Sequence, residues 1–524
     1  MLATLMSGAR VRNGEELEAR VKRVAAGLRT LGLVQGQTVA ILMRNDFAFL
    51  EIMLGAERAG VTAVPLNWHA SEDELAYILV DSGARALFAH ADLLTRVVLR
   101  LPPGVTAIAA LVPEEIARAY RVPPRDCAVP ESVIDFDDWV ARSAEDVEDP
   151  RPPAFRLLYT SGSTGRPKGV VRLRGGEELN ARFAREAREA HGLEIRPIRA
   201  VMTGPLYHSA PGSYAANCVR FGELLVLQPK FDAEGLLDLV ERHRISHLHV
   251  VPTMFNRLLG LPNERRERFD ASSLRAVAHG SAMCPHEVKR AMIDWWGPVI
   301  MEYYAATEIG IVTGCSSTQW LAHPGSVGVP PASVQVRIVS EGGEVVAPSE
   351  VGDIQVRTDA APLVSYLNQP EATQELKAGD GEWVAMGDIG YLDADGFLFL
   401  CDRRKDLVIA GGVNIFPAEV EECLLGHPAV RDAVAFGIPD SDMGEAMAAV
   451  VELRTEGQPE LSAAPADAVV TELQAHVRAK LGTLRAPRKI LVVDRLARED
   501  TGKLSRRKVR AAFLEQATAK AASA

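Results

Sequence analysis

Between the apolar run Phe155 to Leu158 and Val170 lies Tyr159-Thr160-Ser161-Gly162-Ser163-Thr164-Gly165-Arg166-Pro167-Lys168-Gly169. Small hydroxyl residues and glycines leave backbone N–H groups uncovered and add O–H donors, which is what a chain of phosphates requires of a loop. The order G-x-x-x-x-G-K-[ST] is absent, because Lys168 stands between Pro167 and Gly169, so this is not a Walker A loop. A flexible Gly/Ser linker is the bland alternative, and a Lys and a Pro held inside the run, with strand-like segments on either side, argue against it. Three other segments are ambiguous when read locally. His208, after a strand-like run, reads as a structural histidine; Asp402-Arg403-Arg404-Lys405-Asp406 reads as a solvated charged turn; Asp500-Thr501-Gly502-Lys503-Leu504-Ser505-Arg506-Arg507 reads as a basic surface tail.

The elements that would position these residues follow from periodicity. Leu17, Val21, Val24, Ala25 and Leu28 share one helical face, and Val39-Ala40-Ile41-Leu42 then reads as a buried strand. A helix carrying Phe49, Met53, Leu54 and Glu57 precedes the strand-like Val61 to Leu66, and Ala86 to Ala89 follows another helix. Strand, helix, strand is the parallel α/β signature. It continues through Leu224 to Leu227 and His247 to Val251, and past Gly325 the texture becomes β-rich, as in Val334 to Val339 and Gly352 to Arg357. Ala144 to Pro153 is expected to be a surface linker. After the strand-like Phe397 to Leu400 a smaller unit begins, with a helix from Pro417, a strand Ala433 to Gly437 and an amphipathic helix presenting Val470, Leu473, Val477 and Leu481. The expected fold is α/β, with a large N-terminal domain of βα sheets plus a small β-rich subdomain, followed by a small α+β C-terminal domain.

Composition narrows the function classes. Of 524 residues, 47% are hydrophobic and 24% charged, which excludes a disordered polymer; no apolar run reaches the roughly 18 residues of a spanning helix. The formal charge of −11 is spread along the chain, so nucleic acid is not expected as a partner. Six scattered cysteines form no C-x-x-C pair, which points to reduced thiols and a cytoplasmic protein rather than a disulfide framework or a zinc site. Met1 to Met6 is too short an apolar stretch for a signal peptide.

Thr160 to Gly169 resembles the signature loop of the adenylate-forming superfamily, which includes acyl-CoA synthetases, and the resemblance extends in order from about Gly14 to Arg510. It implies that Thr160, Ser161, Gly162, Ser163, Thr164, Gly165 and Lys168 hold the phosphates of ATP. Pro205 to Pro211 is similar to the block whose histidine, His208, gates the acyl pocket. Gly280-Ser281-Ala282 resembles the segment along adenine. Glu302-Tyr303-Tyr304-Ala305-Ala306-Thr307-Glu308 resembles the block in which an aromatic ring stacks on adenine, a Thr (Thr307) touches the α-phosphate and a Glu (Glu308) ligates Mg²⁺; read locally, this could instead be a cap at a helix start. Asp388 and Arg403 match the ribose pair, Lys405 the hinge residue, and Lys503 the lysine that reaches the site during adenylation. Gly411 and Gly412 fall where relatives line the tunnel for coenzyme A. The implied divisions are an AMP-binding and acyl-binding domain over 1–401, a hinge over 402–406 and a mobile domain over 407–524.

The resemblance therefore implies an acid:CoA ligase using ATP and Mg²⁺. A carboxylate attacks the α-phosphate to give acyl-AMP and pyrophosphate, and a thiol then displaces AMP. Coenzyme A is the expected acceptor; an enzyme loading a carrier protein and a nucleotide-binding protein without catalysis are the alternatives, and a homodimer is left open. Trp68, Met202, Ser209, Ala210, Tyr214, Met254, Met283 and Ile309 are expected to line a pocket for a hydrophobic acid. Asn67-Trp68-His69 and Trp320 to Gly328 resemble bacterial fatty-acid and bile-acid CoA ligases, with benzoate-like and coumarate-like acids left open. Ala305 replaces the family's usual Gly and is expected to affect pocket size.

Overall fold

The computed structural model describes residues 1–146, 148–160, 166–378, 381–454, 466–498 and 504–522. The alternating pattern gives two α/β sheets. In the first, Thr62–Pro65, Thr38–Leu42, Ala86–His90, Thr106–Ala110 and Ile134–Asp135 lie side by side, all parallel. In the second, an eight-stranded sheet, Ile300–Ala306, Ala276–His279, His247–Val250, Arg199–Met202, Leu224–Leu227 and Thr4–Ser7 are parallel neighbours, with antiparallel strands at both edges. Parallel strands need both faces covered. One core provides this, because Val39, Ile41 and Phe88 of the first sheet and Ala200, Met202 and Leu225 of the second belong to the same buried cluster.

Local chemistry sets the helix starts. Asn13 and Glu16 form a reciprocal capping box on Gly14–Thr30, as Ser71 and Glu74 do on Glu72–Asp81, each pair satisfying two otherwise unmet N–H groups. The helical face expected from Leu17 to Leu28 is buried.

Beyond these sheets, Phe155–Thr160, Lys168–Leu173 and Val364–Tyr366 form a three-stranded antiparallel sheet. A six-stranded sheet containing Val334–Val339, Gly352–Thr358, Trp383–Leu392 and Leu398–Arg403 follows. The small C-terminal domain is a five-stranded sheet, including Val430–Asp440 and Gly444–Leu453, packed on Pro417–Leu425 and Ala466–Leu481.

The described residues of Ala144 to Pro153 form an irregular surface segment, as expected of a linker, anchored at one point: Asp146 is buried and takes Arg58 Nε at 2.8 Å together with Arg29. Two local expectations are corrected. The last strand runs on to Arg403, past the point where composition suggested a charged turn, because Asp402 is buried and Arg403 is paired across the ladder with Asp388. In the helix Ala466–Leu481 the residues facing the core are Val469, Leu473 and Val477, a regular spacing of four, rather than Val470.

Candidate active site

The carboxyl ends of the parallel strands in the eight-stranded sheet converge on one cleft of about 1690 Å³, which the small domain also borders. Ligands gather at such strand ends in α/β sheets because the loops there leave backbone groups unpaired. The segments after Arg199–Met202, His247–Val250 and Ala276–His279 and the end of Ile300–Ala306 all open onto it. His208, Ser281, Ala282, Glu302, Tyr303, Tyr304, Thr307, Asp388, Arg403 and Lys405, named from the sequence, therefore lie on its walls.

Tyr304 donates its hydroxyl to Asp388 Oδ2 at 2.5 Å, and Arg403 Nε lies 3.2 Å from Asp388 Oδ1. The ladder register Asp388↔Arg403 makes this pairing unavoidable. Burial pushes the Asp388 carboxyl above its usual range, against the opposing pull of Arg403 and the Tyr304 hydrogen bond. Such a group accepts hydrogen bonds from a vicinal diol while the guanidinium offers donors beside it.

Successive residues of a strand face opposite sides. Tyr303, expected at the nucleotide with Tyr304, is accordingly turned away from Asp388 and bonds His249 Nε2 through its hydroxyl at 2.7 Å. Glu302, also expected there, is buried and held by the buried Lys289 at 2.5 Å. Gly280 is close to Tyr303: a Cβ on it would stand 2.7 Å from the Tyr303 carbonyl oxygen. Backbone contact at that position requires glycine.

Thr307 and Glu308 occupy the turn between Ile300–Ala306 and Gly310–Ser316, so there is no helix for them to cap. Tyr366 donates to Glu308 Oε1 at 2.9 Å, and Lys168 Nζ lies 5.1 Å from the centre of the Tyr366 ring. This brings the lysine of the phosphate-type loop and the acid of the turn to the same tyrosine. Glu308 Oε2 has no hydrogen bond from the described residues, and a carboxylate oxygen is a hard donor of the kind Mg²⁺ takes. Thr160 and Lys168 are cross-strand partners at the mouth of the loop, while Ser161, Gly162, Ser163, Thr164 and Gly165 lie outside the described residues. Tyr366 carried no signal in the sequence. Only the third strand's pairing with Lys168–Leu173 brings it to the site.

On the acyl side, His208 stands at the N-cap position of Ser209–Phe221 with its ring tilted against Tyr207, 4.3 Å between ring centres, and Ser209, Ala210, Met254, Met283, Ala305 and Ile309 line the cleft. Three residues expected with them do not. Met202 and Tyr214 are fully buried in the shared core, and Trp68 packs edge-on against Tyr120, 5.1 Å between ring centres, under Arg44. Their apolar character serves packing.

From the small domain, 504–508 and Arg510 reach the cleft; Lys503, next to them, lies outside the described residues. Gly411 and Gly412 are the two central residues of the hairpin Val408–Ala410/Val413–Ile415, with φ of 56° and 80°. A two-residue turn with both φ positive requires such residues. The hairpin tip is exposed and does not line the cleft. Lys405 sits exposed in the short turn Arg404–Asp406 between the domains.

Residues 5–362 match the family model described as AMP-binding enzyme, and residues 419–503 match AMP-binding enzyme C-terminal domain. A feruloyl-CoA synthase from an Amycolatopsis species is 33% identical over 95% of this chain and 93% of its own length. The medium/long-chain-fatty-acid CoA ligase FadD8 of Mycobacterium tuberculosis is 31% identical over 96% and 86%. Among solved structures, the amide bond synthetase McbA from Marinactinospora thermotolerans superposes with a TM-score of 0.80 at 26% identity, covering 98% of this chain and 97% of that one.

Proposed function

We propose the following from the fact that this chain belongs to the AMP-binding enzyme family: it is an AMP-forming acid:CoA ligase for a hydrophobic carboxylic acid. The observation that carries this reading is the single cleft into which both the Tyr304–Asp388–Arg403 group and the His208 side open, so that a nucleotide and an acid would meet end to end.

Adenylation gives the acid a leaving group better than hydroxide. Asp388 and Arg403 hold the ribose, Tyr304 packs on the base, and the Thr160 to Lys168 loop and Thr307 take the phosphates. Charge on the phosphates and on the departing pyrophosphate is offset by Lys168 and Lys503, so the work is electrostatic and positional. Mg²⁺, held by Glu308, would supply further positive charge at the phosphates. In the second half-reaction the thiol of coenzyme A attacks the acyl carbonyl and AMP leaves. The small domain, 407–524, turns on the hinge at 402–406 between the two steps, withdrawing Lys503 and bringing the Gly411-Gly412 hairpin to the cleft.

The test is acid-dependent ATP–pyrophosphate exchange over a panel of fatty, bile and aromatic acids, followed by addition of coenzyme A. Exchange and then AMP-linked thioester formation is the expected result. ATP binding without acid-dependent exchange would refute the ligase reading. The likeness to an amide bond synthetase gives one competitor for the acceptor, so an amine replaces coenzyme A in a parallel arm, and product formation only there would reassign the second half-reaction.

A further inference from the structure

The cleft is apolar along Met254, Ala305 and Ile309 and polar elsewhere, and one polar part of its wall has unmet nitrogens. His191, at the end of the helix Glu177–Ala190, His249, in the strand His247–Val250, and Tyr303, in Ile300–Ala306, all line it. The His191 ring meets Tyr303 edge-on with 4.7 Å between centres and lies 5.9 Å from His249. His249 and Tyr303 share a hydrogen bond of 2.7 Å. His191 is only 3% exposed, yet neither of its ring nitrogens has a hydrogen-bond partner among the described residues, and the same is true of His249 Nδ1.

Burial pulls the pKa of His191 down to about 4 and that of His249 to about 3, so both are uncharged at neutral pH. A neutral imidazole offers one donor and one acceptor. Such a group does not attract an anion strongly, and it is poorly matched to an alkyl tail, which would displace water from it and leave both nitrogens unmet. A neutral hydroxyl, which both donates and accepts, fits it.

We infer that the acid activated by this chain carries a neutral hydrogen-bonding group of the phenolic hydroxyl kind at the end remote from its carboxylate, received by His191 with His249 and Tyr303 beside it. This rests on reading the cleft as the acid's site and specifies the substrate class.

The experiment uses the full-length protein and ATP–pyrophosphate exchange with cinnamic acid, 4-hydroxycinnamic acid and decanoic acid. A site built around a hydroxyl rejects the analogue lacking it, so kcat/KM should favour the hydroxylated acid by roughly 10- to 100-fold. His191→Phe keeps a ring of similar shape without its nitrogens and should bring that ratio close to 1. Tyr303→Phe, which removes a single oxygen, should lower the ratio too and serves if the first variant does not fold. A wild-type ratio of 1 or less, a preference for decanoic acid, or a ratio unchanged in the folded variants would overturn the inference while leaving acid activation standing. Exchange with none of the acids in any broader panel would instead remove the ligase reading, and this inference with it.

Discussion

Arg506 donates to Asp402 at 2.6 Å and to the two oxygens of Glu421 at 3.0 and 2.9 Å. A single guanidinium thereby ties the end of the strand Leu398–Arg403 to the helix Pro417–Leu425, and Asp406, in the turn between them, accepts a further bond at 3.2 Å. Arg506 is three residues beyond Lys503 in the sequence. Arg506→Ala leaves Asp402 buried with one partner fewer, at a cost of about 3 kcal/mol or more for breaking a buried pair. Differential scanning calorimetry should show a lowered melting transition, and pyrophosphate exchange should fall at least tenfold. Unchanged melting would mean that the clamp contributes nothing.

Lys503→Ala separates the half-reactions. It should abolish acid-dependent pyrophosphate exchange, because the charge it offsets develops only in the first step, while thioester formation from preformed acyl-AMP proceeds near the unmodified rate. Persistent exchange in the variant would show that Lys503 has another role.

Asp388, the proposed ribose ligand, is held at a cost. Its carboxyl pKa is raised in the folded protein, chiefly by burial. With the folded value above the unfolded one, its contribution to stability is fully present below the unfolded pKa and is lost as pH rises through the folded pKa. Asp388→Asn should therefore be at least as stable as the natural protein at pH 7.5, while KM for ATP rises about tenfold because the amide has one acceptor oxygen instead of two. In the natural protein, KM for ATP should climb on the acid side starting above the ordinary Asp range of about 4. An acid limb confined below that range, or a variant with native KM, would contradict the assignment of Asp388 to the ribose.

The parallel sheets were readable where a strand is an apolar run, as in Leu224 to Leu227, where the read and observed limits coincide, and not where it is short or mixed, as in Thr4–Ser7 and Ile134–Asp135. The site blocks were picked out by their resemblance to a known family and not by periodicity: locally Asp402 to Asp406 reads as a charged turn, and only the ladder shows that Asp388 and Arg403 face one another, as Thr160 and Lys168 do. What periodicity does not reveal is which side chain a distant strand or loop delivers. Tyr366 reaches Glu308 from 58 residues away, His191 meets Tyr303 across two elements, and Asp146 is drawn inward by Arg29 and Arg58. The same limit explains Met202, Tyr214 and Trp68. An apolar residue beside a site block looks alike in sequence whether it faces the cleft or the core behind it.

The Lys289–Glu302 pair, with Glu302 in the site strand Ile300–Ala306, is almost wholly desolvated: Lys289 is inaccessible and Glu302 5% exposed. Burial raises the Glu302 pKa, and Lys289 opposes that rise. Lys289→Met removes most of that opposition and leaves a buried carboxyl facing His279, 3.9 Å away and itself held uncharged by burial, with a folded pKa further above its unfolded value. Its contribution is then present at low pH and lost as pH rises through the folded pKa, so the variant's deficit should be larger at pH 8 than at pH 5.5. At pH 8 the loss should be about 3 to 5 kcal/mol, read from urea unfolding midpoints of the large domain. Lys289→Met combined with Glu302→Met should recover most of it, since an apolar pair of similar volume can replace a buried ion pair at little cost. A double variant no more stable than the single, or a deficit independent of pH, would mean that packing around Trp320, whose ring centre lies 4.9 Å from Lys289 Nζ, and not charge, is what Lys289 supplies.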